Sequence, residues 1–175
     1  MLLEYNKYGQ LIFEGEYLYD AKLNGKFKEY NKHGKLKFEG ECLNGERNGN
    51  GKEYDDNGNL IFEGKYINGR IWNGKFKEFN KHGRLIFEGE YINGKRNRKG
   101  KEYYYIGKLL FEGEYLNGER NGKGKEYEYG ILVFEGKYLK GKRWNGKGKE
   151  YYFNVKLKFE GEYSNGKRNG KGKKI

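Results

Sequence analysis

The sequence predicts an all-β fold: an elongated, single-layer antiparallel β-meander built from about seven hairpin repeats. Three observations carry that prediction. The tripeptide Phe-Glu-Gly recurs with Phe13, Phe38, Phe62, Phe87, Phe111, Phe134 and Phe159 in phase, at spacings of 25, 24, 25, 24, 23 and 25 residues, and such a period is the signature of a repeat architecture. Between the markers polarity alternates with period two, as a strand requires. Finally, 11 Phe, 18 Tyr and 2 Trp outnumber the 26 Ile, Leu and Val, which are too few to fill a conventional core.

Each repeat supplies two strands. In LLFEGEY, Leu109, Phe111, Gly113 and Tyr115 fall on one face, and Leu110, Glu112 and Glu114 on the other. The second run is NGKGKEY, clearest at Asn121 to Tyr127 and Asn145 to Tyr151. Pairs such as Asn44-Gly45, Asn117-Gly118, His33-Gly34 and Asn57-Gly58 bound the runs and supply the positive φ of tight hairpin turns. The expected organisation is a single repeat domain over 1–175, with a half unit at 1–10 and repeats beginning near 11, 36, 60, 85, 109, 132 and 157.

With no second layer in the sequence, ring rows over glycines are expected to replace a core. The seven phenylalanines and Tyr17, Tyr66, Tyr91, Tyr115, Tyr138 and Tyr163 form those rows, a neighbouring strand's ring lying over each glycine. Cys42 takes the tyrosine's place in one repeat. On the opposite face glutamates such as Glu14 and Glu16 meet lysines, each exposed pair contributing a few tenths to about 1 kcal/mol. Which face Tyr54 and its equivalents occupy stays open, because a one-residue slip in the following turn exchanges the faces. Leu23, Trp72 and Trp144 each insert a residue before Asn-Gly; Phe27 and Phe76 stand where four other copies have glycine, and Arg98 replaces another. These read as packing variants.

The unit FEGEY-x-NG-x-RNGKGKEY, clearest at Phe111 to Tyr127 and again at Phe159 to Gly172, resembles the MORN repeat: aromatic, x, Gly, x, aromatic, then Gly-x-Gly before another aromatic. It is most similar to the variant repeats of bacterial proteins labelled as antitoxin components and of protist proteins. The resemblance implies a single-layer sheet serving as a scaffold, a partner-binding platform or a module that meets acidic phospholipid. Phe27 and Phe76 depart from the Gly-x-Gly pattern.

Catalytic chemistry is not expected. An enzyme needs an asymmetric constellation, whereas the Glu39/Glu41, Glu88/Glu90, Glu112/Glu114 and Glu160/Glu162 pairs repeat as a strand face. His33 and His82 sit in equivalent NKHG turns, and the Gly-x-Gly pieces lack the following helix a phosphate loop needs. No catalytic, metal or cofactor-binding residue is assigned and no cofactor is expected. With one Cys there is no internal disulfide, and no apolar run approaches a spanning helix; the expected setting is cytoplasmic, with association to a membrane or the cytoskeleton.

The net charge of +12 is unevenly spread. Residues 1–90 hold 15 Lys+Arg and 15 Asp+Glu, residues 91–175 hold 22 and 10. The excess gathers around the Asn-Gly turns as a candidate anion-binding margin of Lys95, Arg96, Arg98, Lys99, Lys142, Arg143, Lys147, Lys149, Lys167, Arg168 and Lys171. The expected function is a non-catalytic scaffold binding a protein through the aromatic face or the terminal edge strands, around Leu2 to Tyr5 and Lys171 to Ile175, where a homodimer is also expected to form. The alternatives are a peripheral membrane module holding anionic phospholipid on the basic margin and, as a special case of partner capture, an antitoxin-like protein. Nucleic acid ranks below these, because the rings are expected to be committed to packing over glycines.

Overall fold

A computed structural model describes residues 1–18, 21–152 and 156–169. It contains fifteen strands: β1 (Leu2–Tyr5), β2 (Leu11–Leu18), β3 (Ala21–Tyr30), β4 (Leu36–Leu43), β5 (Glu46–Tyr54), β6 (Leu60–Ile67), β7 (Arg70–Phe79) and β8 (Leu85–Ile92) come first. Then follow β9 (Lys95–Tyr103), β10 (Leu109–Leu116), β11 (Glu119–Glu128), β12 (Ile131–Leu139), β13 (Lys142–Tyr151), β14 (Leu157–Ser164) and β15 (Lys167–Asn169). All fifteen belong to one open antiparallel sheet, ordered as in the chain. Among the described residues there is no helix, so no helix is long and apolar enough to cross a membrane. The chain divides into two compact units, Met1–Phe76 with Tyr91–Gly94, and Lys77–Glu90 with Lys95–Ile175.

Two kinds of turn alternate. At the Asn-Gly turns both central residues are left-handed, as at Asn44 (φ 51°) and Gly45 (φ 76°), which is the geometry whose twist suits a two-residue hairpin. Most of the other turns run over four residues to a glycine, Asn-x-x-Gly at Asn6, Asn31 and Asn80, with Asp55 or Tyr104 in the asparagine's place. There the Oδ1 of Asn31 accepts the backbone N–H groups of His33 and Lys35 at 2.9 and 3.0 Å, and Gly34 alone is left-handed. The histidines are turn residues in this setting.

The inserted residues sort the hairpins into two registers. Where Leu23, Trp72 or Trp144 bulges, the glycine after the bulge faces the Phe-x-Gly glycine: Gly25 meets Gly15, Gly74 meets Gly64 and Gly146 meets Gly136. The residue facing the phenylalanine is then Phe27, Phe76 or Gly148. In β4–β5 and β10–β11 the partner glycine comes two positions later in the repeat, Gly51 against Gly40 and Gly124 against Gly113. Gly49 (φ 90°) and Gly122 (φ 95°) turn left-handed to absorb the longer bulge, and Arg98 does so at φ 57° without the freedom of a glycine. Phe27 and Phe76 thus stand opposite a repeat phenylalanine in this register, a place that also accepts Gly148.

The core lies within the layer. All seven repeat phenylalanines are buried, five of them completely. The Phe13, Phe38, Phe62, Phe87 and Phe111 rings fold onto the glycine two residues ahead in the same strand and onto the glycine facing that one: a Cβ on Gly40 would stand 2.7 Å from the Phe38 ring, and one on Gly51 also 2.7 Å. The expectation that a neighbour's ring covers each glycine is thus half of the arrangement, and Tyr66 supplies that half by reaching within 3.2 Å of the same Gly51 position. Edge-to-face contacts link the rings, Phe111–Tyr115 at 5.6 Å, Phe111–Tyr138 at 5.0 Å and Phe134–Tyr138 at 5.2 Å. Cys42 is buried in the tyrosine's place, and Phe27 beside it packs on Phe38 at 5.0 Å.

Candidate interaction surfaces

The aromatic face does not present its rings to a partner, because a second set of side chains roofs them. Arg47 lies 4.1 Å above the Phe38 ring, Arg96 4.0 Å above Phe87 and Arg120 4.2 Å above Phe111; Arg143 and Arg168 cover Phe134 and Phe159. Arg120, Arg143 and Arg168 stand opposite Tyr115, Tyr138 and Tyr163 in the register, and Arg47 opposite Cys42 in the tyrosine's place, which aims each guanidinium along the ring row. The glutamate of GKEY completes the layer. Glu102 takes a forked pair from Arg120 at 3.2 and 2.5 Å and the Tyr115 hydroxyl at 2.6 Å. Glu126 takes Arg143 at 2.8 Å and the Tyr138 hydroxyl at 2.7 Å, and Glu150 takes Arg168 and Tyr163. Burial by itself would raise the pKa of Glu102 and Glu126, but the hydrogen bonds from arginine and tyrosine hold both carboxyls below their ordinary value. Burial and the same hydrogen bonds push Tyr115 and Tyr138 well above theirs. What this face offers outward is a satisfied guanidinium–carboxylate–phenol ladder.

The opposite face carries lysine and glutamate in alternation. Lys52 pairs with Glu63 at 3.6 Å, Lys125 with Glu135 at 3.5 Å and Lys149 with Glu160 at 3.0 Å. Tyr54, Tyr103 and Tyr127 belong here, their hydroxyls donating to Glu39, Glu88 and Glu112 at 2.7, 2.5 and 2.9 Å, which resolves the question of register. Each unit opens a groove on this face. The first, of about 580 Å³, runs from Leu11 and Ile12 past Lys26, Lys28, Glu39 and Lys52 to Glu63. The second, of about 390 Å³, is lined by Leu132, Val133, Glu135, Lys147, Lys149 and Glu160. Neither groove is marked by a single motif, since its walls come from ordinary repeat positions on successive strands.

The eleven basic candidates separate into distinct places. Lys95 and Lys167 are exposed beside Asn-Gly turns, and Lys142 beside the Lys140-Gly141 turn. Lys99, Lys147 and Lys149 point from mid-strand onto the glutamate face, opposite Glu114, Glu162 and Glu160. Arg96, Arg143 and Arg168 are drawn onto the rings, where Arg96 is bound to Glu78 at 2.7 Å. Arg98 sits exposed at its bulge, 3.4 Å from Glu90. Lys171 lies outside the described residues, as does the second terminal edge at Lys171 to Ile175. A period-two pattern assigns Arg to a face, but counting charge does not show which cations already have a carboxylate.

No group of three or more His, Cys, Asp or Glu suited to a metal ion is present among the described residues. Comparison with curated proteins returns no match. The family model described as the MORN repeat matches residues 38–60, 87–108, 111–127 and 159–175. Each matched segment contains the Phe-Glu or Phe-Glu-Gly strand together with its partner positions, and the unmatched hairpins between them repeat the same ring-over-glycine geometry. By motif and by hairpin, this chain is a MORN-repeat protein.

Proposed function

We propose that this protein is a non-catalytic scaffold that holds an extended segment of a protein partner across its lysine–glutamate face. The observation that carries this is the groove of about 580 Å³ in the first unit, with Leu11 and Ile12 at one end and walls whose charge alternates from strand to strand through Glu14, Lys26, Lys28, Glu39, Lys52 and Glu63. Alternating charge fixes the register of a bound segment and rejects uniformly charged ones, while the opposite face has its polar groups internally satisfied. A second reading is supported by Lys95, Lys142 and Lys167, which stand exposed beside their turns and suit an anionic lipid surface at about 1 kcal/mol per cation. Affinity capture from the native cell, with and without detergent, distinguishes the two. A protein captured in detergent, and lost on Lys28→Glu with Lys52→Glu, supports the groove. Capture that survives those changes, or that vanishes in detergent and on Lys142→Glu, refutes it in favour of the lipid reading.

A further inference from the structure

The second unit carries a row of exposed rings that the repeat does not explain. The repeat phenylalanines are buried, yet Tyr105 is 68% exposed, Tyr129 82% and Tyr152 53%; Tyr8 is a comparable turn ring of the first unit, at 69%. All three sit in turns that join an odd strand to the next even one, so they share one end of the strands, and neighbouring tips are two strands or about 9.6 Å apart. Two of these turns lack a structural device that other turns keep. In the first unit Asn6, Asn31 and Asp55 accept two turn N–H groups each at 2.8 to 3.0 Å. Tyrosine stands at the matching positions 104 and 152. The third turn is Tyr129-Gly130 with φ of 53° and 86°, so a bulky ring occupies the left-handed position that Asn44, Asn68, Asn93, Asn117 and Asn165 take elsewhere. That conformation costs an aromatic residue free energy that asparagine largely avoids.

Cations accompany two of the rings, Tyr105 and Tyr152, while Tyr129 follows Glu128. Arg84 Nη1 donates to the Tyr105 carbonyl at 3.0 Å, Lys158 lies 5.8 Å from the Tyr152 ring, and Lys108 is exposed in the same turn as Tyr105. The surrounding sequence from 91 to 175 has 22 basic against 10 acidic residues. Exposed π-faces at regular intervals, the outer two beside cations, suit a ligand with flat bases on an anionic backbone. Ring burial counts against nucleic acid only for the repeat aromatics, and these three are a different set.

We propose that this end of the second unit binds single-stranded nucleic acid, with bases stacked on Tyr105, Tyr129 and Tyr152 and phosphates held by Arg84, Lys108 and Lys158. A duplex hides its base faces and fits poorly. The test is fluorescence anisotropy of the full chain with labelled oligo(dT) and oligo(U) of about 20 nucleotides, against a duplex of equal length. Single strands are expected to bind at least about tenfold more tightly than the duplex, and the combined Tyr105→Ser, Tyr129→Asn, Tyr152→Asn variant to lose at least about tenfold. Its salt dependence should be unchanged, because the phosphate contacts remain. Two of those substitutions restore residues other turns already use, so the variant keeps its fold, which circular dichroism checks. Replacing Lys95, Lys142 and Lys167 by Gln at the opposite strand ends should change affinity by less than about twofold beyond the general charge effect. Equal affinity for duplex and single strand, unchanged binding after loss of the three rings, or ring-dependent binding of phosphatidylserine vesicles without oligonucleotide binding would each overturn the proposal.

Discussion

Gly124→Ala tests whether rings over bare backbone are what hold this sheet together. Gly124 has ordinary strand geometry, so alanine would relieve backbone entropy there by about 0.5–1 kcal/mol if space allowed. Space does not allow it. The new Cβ would stand 2.6 Å from two atoms of the Phe111 ring and 3.3 Å from Tyr138, where carbon–carbon contact is comfortable at about 3.5–4.0 Å. The ring would have to retreat by about 1 Å, but Arg120 lies 4.2 Å above it and Tyr138 5.0 Å to its side. The expected cost is about 2–3 kcal/mol, at the upper end for overpacking. Phe111→Ala alone should cost about 3–5 kcal/mol. In the double variant the clash is gone, so the two costs should fall short of additivity by about 2–3 kcal/mol. Urea denaturation followed by circular dichroism reads all four corners of the cycle. Additive costs to within about 0.5 kcal/mol, or a neutral Gly124→Ala, would show that the rings do not depend on these glycines.

Arg98→Gly is expected to stabilise the protein by about 0.5–1 kcal/mol in the same assay, since relief of a left-handed arginine outweighs an exposed ion pair with Glu90. The ladder makes stability fall in acid. Glu102 and Glu126 have folded pKa values below their ordinary 4.5, so their contribution is present above that pH and is lost as pH falls through the depressed values; Glu102→Gln should flatten the urea midpoint against pH below 4.5. At the alkaline end Tyr54 and Tyr127 are pushed up to about 12, mainly by burial and then by Glu39 and Glu112. A raised phenol contributes fully below pH 10 and loses that contribution towards pH 12. Tyrosinate absorbance should therefore include a late-titrating fraction that moves earlier in Glu112→Gln.

The architecture was readable in the sequence because it depends on short-range facts: period two, Asn-Gly and a recurring Phe-Glu-Gly. Those place Phe111, Gly113 and Tyr115 on one face without knowledge of any other strand. What a single strand cannot show is the offset to its neighbour. Trp72 is visible as an extra residue, but that it moves Gly74 opposite Gly64 and brings Phe76 opposite Phe62 is a property of the pair. Tyr54 is similar, since a bulge between Glu53 and Tyr54 decides its face. The exposed rings were within reach. Tyr105 and Tyr129 stand in turn positions where earlier repeats have lysine, histidine or asparagine, but the abundance of tyrosine elsewhere in the chain concealed the difference.

The same physical division explains why net charge misdirects at the candidate margin. A one-layer sheet has nothing above its phenylalanines, so the roof must come from long side chains of the sheet itself. Arginine suits that role where lysine does not: its planar guanidinium lies flat on a ring while its edge forks to a carboxylate. Arg47, Arg96, Arg120 and Arg168 all do this, Arg143 covers Phe134 and reaches Glu126 through Nε, and Lys22, the one lysine in the series, stands 5.2 Å from Phe13 and holds Glu4 through a single nitrogen. At the next equivalent position Ile71 joins the apolar cluster of Phe38, Phe62 and Tyr66 and leaves the ladder without a cation there. Arginine in this chain is therefore chiefly a folding residue, and the cations that stay outside the ladder include Lys95, Lys142, Arg84 and Arg98. Arg120→Lys should accordingly lower stability in urea denaturation, whereas Lys142→Gln should leave it nearly unchanged.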